Sequence, residues 1–105
     1  MTETLTVCPL RDLAPGTMRL VEWEDLEILV ANCGGAIHAI ENRCSHDDGP
    51  LNEGTLDQGA CTVECPRHGS IFHLRSGRPL SLPAYESVDT FPVRVEGDEI
   101  RVEVQ

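Results

Sequence analysis

Short runs in which apolar and polar residues alternate recur along the chain, and they are clearest near its C-terminus. Residues 91–96 and 100–104 alternate in this way, and a Gly-Asp turn at 97–98 separates the two runs. Successive side chains of a strand point to opposite faces, so this spacing predicts a hairpin with one apolar and one charged face. Pro92 has no backbone N–H to donate, which places its strand at a sheet edge or a bulge.

Other segments rich in strand-forming residues are separated by turn-forming ones. A Pro-Gly turn is predicted within residues 10–17 and a tight turn at residues 34–35. No window shows helical periodicity, and residues 50–54 are the best candidate for a single helical turn. We therefore expect an all-β sandwich or barrel-like stack of small sheets, with further strands at residues 5–7, 18–23, 26–33, 37–41, 60–64 and 70–74.

The length and composition indicate one small globular domain. The chain has 105 residues, so residues 1–105 are expected to form a single domain. Hydrophobic residues make up 40% of it but aromatic ones only 4%, which leaves the core to Val, Leu and Ile. We find no transmembrane stretch and no signal peptide, and we expect a cytoplasmic protein.

The net charge of −10 narrows the choice of partners. Phosphate-rich surfaces need Lys and Arg, so nucleic acids and acidic membranes are not expected to bind. The acidic surface favours a partner protein with a basic docking face. Alternatively, the charge only keeps the protein in solution.

The chain contains five cysteines, an odd number. A reducing compartment argues against a disulfide framework, which leaves metal binding, catalysis or packing as roles for the thiols. We expect Cys8, Cys33 and Cys61 to be small core residues, with a redox role as the alternative. Their individual roles are not set by the sequence.

The strongest chemical signal is a pair of short motifs, Cys44-x-His46 and Cys65-x-x-His68, with 18 residues between them. Both lie next to glycine or proline, where a turn can wrap around a metal. Three interpretations are open: buried cysteines beside surface histidines, a tetrahedral zinc site, or a 2Fe–2S cluster held by two cysteines and two histidines.

The motifs CSH and CPRHGS resemble those of Rieske-type ferredoxins, in particular the ferredoxin components of bacterial ring-hydroxylating dioxygenase systems. The loop SGRPLSLPAYESV and the hairpin TFPVRVEGDEIRVEV extend the resemblance over nearly the whole chain. It implies a Rieske-like stack of small antiparallel sheets, with cluster-binding loops at about residues 43–50 and 65–70. It also implies one 2Fe–2S cluster per chain, with Cys44 and Cys65 on the inner iron and His46 and His68 on the outer iron.

Two nearby positions bear on the reduction potential, which for Rieske centres spans roughly −150 to +300 mV. In high-potential relatives a serine and a tyrosine donate hydrogen bonds to the cluster sulfurs, and these positions correspond to Ser70 and Phe72. The disulfide of those relatives corresponds to Gly49 and Arg67, so it cannot form here. We therefore expect a potential that is low to intermediate for a Rieske centre.

The resemblance implies a monomeric one-electron carrier rather than an enzyme. A flavin-dependent ferredoxin reductase would load it, and a terminal oxygenase would unload it. Alternatives are a fixed Rieske subunit of an oxidase, a ferredoxin associated with iron–sulfur assembly, or a zinc-stapled binding module. His38 is expected to be a strand residue and His73 is not needed as a ligand.

Overall fold

The computed structural model describes residues 3–45, 49–67, 69–82, 84 and 86–104. Within these ranges the chain forms strands and one short 3-10 turn (Leu10–Asp12) but no α-helix. None of the described segments is a helix long and apolar enough to cross a membrane. The strands are β1 (Thr4–Pro9), β2 (Met18–Trp23), β3 (Leu26–Cys33), β4 (Ala36–Glu41), β5 (Thr55–Asp57), β6 (Thr62–Glu64), β7 (Ile71–His73), β8 (Thr90–Phe91), β9 (Val93–Glu96) and β10 (Glu99–Glu103).

The strands form three small sheets, all with antiparallel pairing. The terminal sheet has the order β1-β10-β9, and the central sheet has the order β2-β3-β4-β8. The loop sheet has the order β5-β6-β7 and carries the predicted cluster-binding loop at residues 65–70. The predicted all-β stack of small antiparallel sheets is confirmed.

Strand β3 is the centre of the fold because it is buried on both faces. Ile28 and Val30 point into an apolar cluster shared with the terminal sheet. Leu29 and Ala31 point into a second cluster shared with the loop sheet. This two-sided burial explains why residues 26–33 form a nearly continuous apolar run rather than an alternating one.

Pro92 marks the point at which the chain moves from one sheet to another. The preceding strand β8 pairs with β4 of the central sheet, and the following strand β9 pairs with β10 of the terminal sheet. Both β8 and β9 are edge strands, as predicted from the missing N–H. The Pro92 carbonyl still accepts a 2.9 Å hydrogen bond from the Glu103 N–H.

Cys33 and Cys61 form a disulfide, so the expectation of separate core thiols is wrong for this pair. Their Cα atoms are 5.5 Å apart, and the bond joins the end of β3 to the residue just before β6. The two positions are 28 residues apart and meet only when the loop sheet packs on the central sheet. Cys8 is a buried thiol in the other apolar cluster, as expected.

Three local predictions also differ from the structure. Residues 51–54 form bends and turns rather than the helical turn predicted at 50–54, and the strand predicted at 60–64 begins only at Thr62. Strand β5 was not predicted, because Thr55–Asp57 has only one apolar residue. It adopts strand conformation because it pairs with β6 and not because its own residues favour a strand.

Candidate metal centre

The two cysteines of the predicted ligand pairs each begin a loop. Cys44 follows β4 after two residues, and Cys65 directly follows β6. Both are 0% exposed, both belong to the apolar cluster between the central and loop sheets, and neither takes part in the disulfide. Burial opposes the ionisation of a thiol, whereas a bound metal deprotonates it. Two buried sulfur donors in one core therefore suit a metal cofactor that neutralises their charge.

The two loops are closed at their base in the same way. The Cys44 N–H donates to the Gly49 carbonyl at 2.7 Å, and the Cys65 N–H donates to the Ser70 carbonyl at 2.7 Å. Each cysteine thus bonds the residue five positions ahead. In the second loop the Gly69 N–H also donates to the Cys65 carbonyl at 3.0 Å, with Gly69 at φ +74°. The two ligand motifs are therefore closed by the same backbone hydrogen bond.

Asn42 fixes the position at which the first loop returns to the core. Its buried side-chain carbonyl accepts hydrogen bonds from the Leu51 N–H at 2.9 Å and the Asn52 N–H at 2.7 Å. Its amide donates to the Asn52 side-chain carbonyl at 2.9 Å and to a Glu27 carboxylate oxygen at 3.3 Å. This role of Asn42 is not evident from the sequence alone. An asparagine just after a strand and two positions before a ligand cysteine is a weak signal.

Ser70 and Phe72, the two positions predicted to influence the cluster, are both fully buried. The Ser70 hydroxyl accepts a 3.1 Å hydrogen bond from the Ala84 N–H. That bond uses an oxygen lone pair and leaves the hydroxyl hydrogen to be donated elsewhere. Phe72 lies in the same apolar cluster as Cys44 and Cys65 and offers no donor.

A third loop, residues 76–82, is attached to the second cluster-binding loop. The Ser81 hydroxyl accepts from the Ile71 N–H at 2.9 Å and donates to the Gly69 carbonyl at 3.4 Å. The Leu80 N–H donates to the Ile71 carbonyl at 2.6 Å. The first loop is tied to this region as well, because the Ser45 hydroxyl donates to the Glu86 carbonyl at 2.6 Å.

The predicted histidine ligands, His46 and His68, lie outside the described residues, as do Asp47 and Asp48. Within the described ranges, no group of three or more His, Cys, Asp or Glu is arranged to hold a metal ion. The described part of the chain thus contains the sulfur half of the predicted ligand set. The remaining two histidines are strand residues, one in β4 and one in β7.

Comparison with known proteins agrees with the buried cysteine pair and the sheet arrangement. The family model described as the Rieske [2Fe-2S] domain matches residues 3–92. The 3-phenylpropionate/cinnamic acid dioxygenase ferredoxin subunit of Escherichia coli (strain K12) is 39% identical over 97 residues, which cover 92% of this chain and 90% of that protein.

Solved structures show the same likeness. The ferredoxin of carbazole 1,9a-dioxygenase from Nocardioides aromaticivorans IC177 superposes with a TM-score of 0.93 at 32% identity, covering 97% of this chain and 98% of that one. A chain from the complex of reduced oxygenase and oxidized ferredoxin in carbazole 1,9a-dioxygenase has a TM-score of 0.90 at 36% identity, covering 95% and 92%.

The chain belongs to the Rieske [2Fe-2S] domain family. Its cofactor is a Rieske-type 2Fe–2S cluster, and the two buried cysteines in matching loops fit that group. It is an electron-transfer protein and does not itself catalyse a reaction on a substrate. The predicted family, cofactor and absence of catalysis are confirmed.

Proposed function

We propose that this protein accepts one electron at a time from a flavin-dependent ferredoxin reductase and delivers it to the terminal oxygenase of a ring-hydroxylating dioxygenase system. The observation that carries the proposal is the pair of equivalently closed loops, each begun by a fully buried cysteine. The likeness to dioxygenase ferredoxin subunits over more than nine-tenths of the chain supports these two partner classes.

The proposed ligands are Cys44 and Cys65 on the inner iron and His46 and His68 on the outer iron. The cluster supplies reversible one-electron chemistry when it is bound. The chain holds the two cysteine sulfurs in an apolar core, which keeps water away from that side of the site. We propose a single Rieske domain over residues 1–105, with cluster-binding loops at about 43–50 and 65–70.

The hydrogen bonding of the second loop supports a low-to-intermediate reduction potential. A donor to a cluster sulfur stabilises the added negative charge and raises the potential. Ser70 retains a hydroxyl hydrogen for this purpose after accepting from Ala84. Phe72 occupies the position where a tyrosine would supply a second donor. One donor in place of two is the physical basis for the lower potential.

We propose that redox partners dock at the end of the molecule that carries the cluster-binding loops, where the third loop, residues 76–82, adds an apolar element. Leu80 and Leu82 are 58% and 79% exposed, and Ser81 between them is bonded to the second cluster-binding loop. The net charge of −10 attracts a basic partner surface from a distance. Long-range attraction with a small apolar contact suits brief encounters between the two proteins.

We further propose that the protein is a monomer and that it is located in the cytoplasm.

Substitution of each histidine tests the ligand assignment. His46→Ala and His68→Ala should remove the brown colour, the rhombic resonance of the reduced protein and the bound iron. His38→Ala and His73→Ala are matched controls, since both residues are strand residues, and each should retain two iron ions per chain. Loss of the cluster in the control variants, or its retention in the first two, would contradict the assignment.

Electron delivery is tested by stopped-flow mixing of the reduced protein with a dioxygenase terminal oxygenase. The proposed carrier should give a second-order rate that falls as ionic strength rises, because salt screens the attraction between charged surfaces. It should form only a short-lived complex. A stable complex that survives gel filtration would instead favour the alternative of a fixed Rieske subunit.

A further inference from the structure

The Cys33–Cys61 disulfide joins the two sheets whose shared apolar cluster contains Cys44 and Cys65. Cys33 ends β3 of the central sheet, and Cys61 directly precedes β6 of the loop sheet. The Cys61 carbonyl accepts a 3.0 Å hydrogen bond from the Leu74 N–H, which continues the pairing of β6 with β7 by one residue. Since Cys61 lies four positions before Cys65, the disulfide anchors the hairpin that carries the second cluster-binding loop.

The disulfide lies near the surface on its Cys61 side. Cys33 is 9% exposed, whereas Cys61 is half-buried. The segments next to the two cysteines, residues 34–36 and 57–60, are exposed. A Cβ atom added to Gly34 or Gly35 would have no neighbouring atom within 4 Å, so this turn projects into open space. The Cys61 sulfur therefore offers the more open approach for a small thiol.

The backbone of Cys61 is strained. Cys61 and Glu24 are the two residues other than glycine with a positive φ in the described part of the chain, each at +55°. Residues with a Cβ occupy this left-handed region at an energetic cost and stay there only when their surroundings hold them. The disulfide is one of the groups that hold Cys61, so this strain favours the open form. Strained or exposed disulfides are more readily reduced than structural ones and are often regulatory.

The proposed location of the protein points in the same direction. The cytoplasm is kept reducing, so disulfides are rare there, and those that occur are usually transient or redox-sensing. The inference below rests on this proposed location and on the two proposed cysteine ligands. It does not depend on the reductase or the oxygenase.

We propose that the Cys33–Cys61 disulfide opens reversibly by exchange with a small thiol of the glutathione type, and that its state controls how firmly the protein retains its cluster. The thiolate attacks the Cys61 sulfur and forms a mixed disulfide, while the Cys33 sulfur leaves with the electron pair and takes up a proton. A second thiolate then attacks the sulfur of the bound thiol, and the Cys61 sulfur leaves and is protonated. Two small thiols become one disulfide, and the protein gains two thiols.

Opening the disulfide affects the cluster because release requires the Cys44 and Cys65 sulfurs to separate. While the bond is closed, the second loop is tethered to the end of β3 four residues before Cys65. When it is open, packing in the shared apolar cluster holds the two sheets together without the tether. From the loop-closure effect of such a cross-link, the open form should release iron about 10- to 100-fold faster.

The test equilibrates the oxidised holoprotein in buffers of increasing ratio of reduced to oxidised glutathione, below its melting temperature. Alkylation followed by peptide mass spectrometry measures the fraction of Cys33 and Cys61 present as thiols. This fraction should rise within the range of ratios found in the cytoplasm and fall again when oxidised glutathione is added. Transfer of iron to a chelator, followed in the same samples, should accelerate in step with it.

Two variants identify the bond responsible. Cys33→Ala/Cys61→Ala should release iron at the fast rate in every buffer, which also controls for direct action of the thiol on the cluster. Cys8→Ala retains the disulfide and should respond to the buffers as the wild type does. Both main readouts use the wild type, so the test does not depend on the folding of the double variant. A disulfide that stays closed in the most reducing buffer, or an iron release rate that is the same in the open and closed forms, would overturn the proposal.

Discussion

Removal of the Cys33–Cys61 disulfide should cost more stability than a typical point substitution. The bond closes a loop of 28 residues that contains the entire first cluster-binding loop. In the chain-entropy treatment, a loop of this length is worth about 3.6 kcal/mol in the apoprotein. With the proposed cluster already joining Cys44 to Cys65, the disulfide closes a shorter path of about 15 residues, worth about 3 kcal/mol.

The expected loss of free energy of unfolding can be expressed as a fall in melting temperature. For a domain of this size, about 3 kcal/mol corresponds to a fall of about 10–15 °C. The double variant Cys33→Ala/Cys61→Ala should show this fall in thermal unfolding of the cluster-loaded protein, followed by far-ultraviolet circular dichroism and by the visible absorption of the cluster. Cluster loss and unfolding should occur together, because the disulfide anchors the segment that leads into Cys65.

Two controls distinguish the effect of losing the cross-link from the effect of removing two side chains. A thiol reductant should lower the melting temperature of the wild type towards that of the double variant and leave the double variant unchanged. Cys8→Ala removes a buried thiol from the other apolar cluster and should not alter the response to reductant. A melting temperature that is the same with and without reductant, and in the double variant, would refute the reasoning.

Three further predictions concern the potential, the first loop and pH. Phe72→Tyr should raise the reduction potential by about 40 mV in voltammetry, the equivalent of one hydrogen bond of about 1 kcal/mol to the reduced cluster. Asn42→Ala should speed cluster release and cost about 2–3 kcal/mol in urea unfolding, because it leaves the Leu51 N–H buried without its partner. The lowered pKa of His38 means that the unfolded chain binds more protons, so stability should fall as the pH drops through about 6.5.

Each of these three predictions can be checked against a contradicting outcome or a control variant. An unchanged or lower potential in Phe72→Tyr would contradict the tuning argument. Asn32→Ala also removes a buried asparagine, one that bonds the Leu13 carbonyl and the Gly35 N–H. It should destabilise the fold without speeding cluster release. His38→Gln should flatten the stability profile between pH 5 and pH 7, and an unaltered slope would show that another group causes it.

The elements predicted well are those whose sequence pattern is long and dictated by burial. Strands β2 and β3 have the predicted bounds because each is a run of strand formers ended by a turn. Strand β5 was not predicted because it forms through pairing with β6 and its own three residues do not indicate a strand. The Cys33–Cys61 bond was missed for a similar reason, since only tertiary packing brings these positions together.

The candidate metal centre likewise has parts that the sequence predicts and parts that it does not. The ligand pairs are visible in the sequence because metal chemistry demands particular side chains at close spacing. The groups that hold those loops in place include backbone atoms and the side chain of Asn42, which the sequence does not distinguish from other turn residues. Ser70 was anticipated as a donor, but its bond with Ala84 depends on where the third loop returns.

The matched closure of the two loops also has a consequence for protein engineering. A backbone hydrogen bond closes each loop at its base and encloses the same number of residues in each, 45–48 in the first and 66–69 in the second. Exchanging the two segments would swap the Cys-x-His and Cys-x-x-His spacings, and it would also move Gly69, whose N–H bonds the Cys65 carbonyl at a φ of +74°, into the first loop. A redesign of residues 66–68 that retains Gly69 should therefore change the donor atoms beside Cys65 while keeping both backbone hydrogen bonds of that loop.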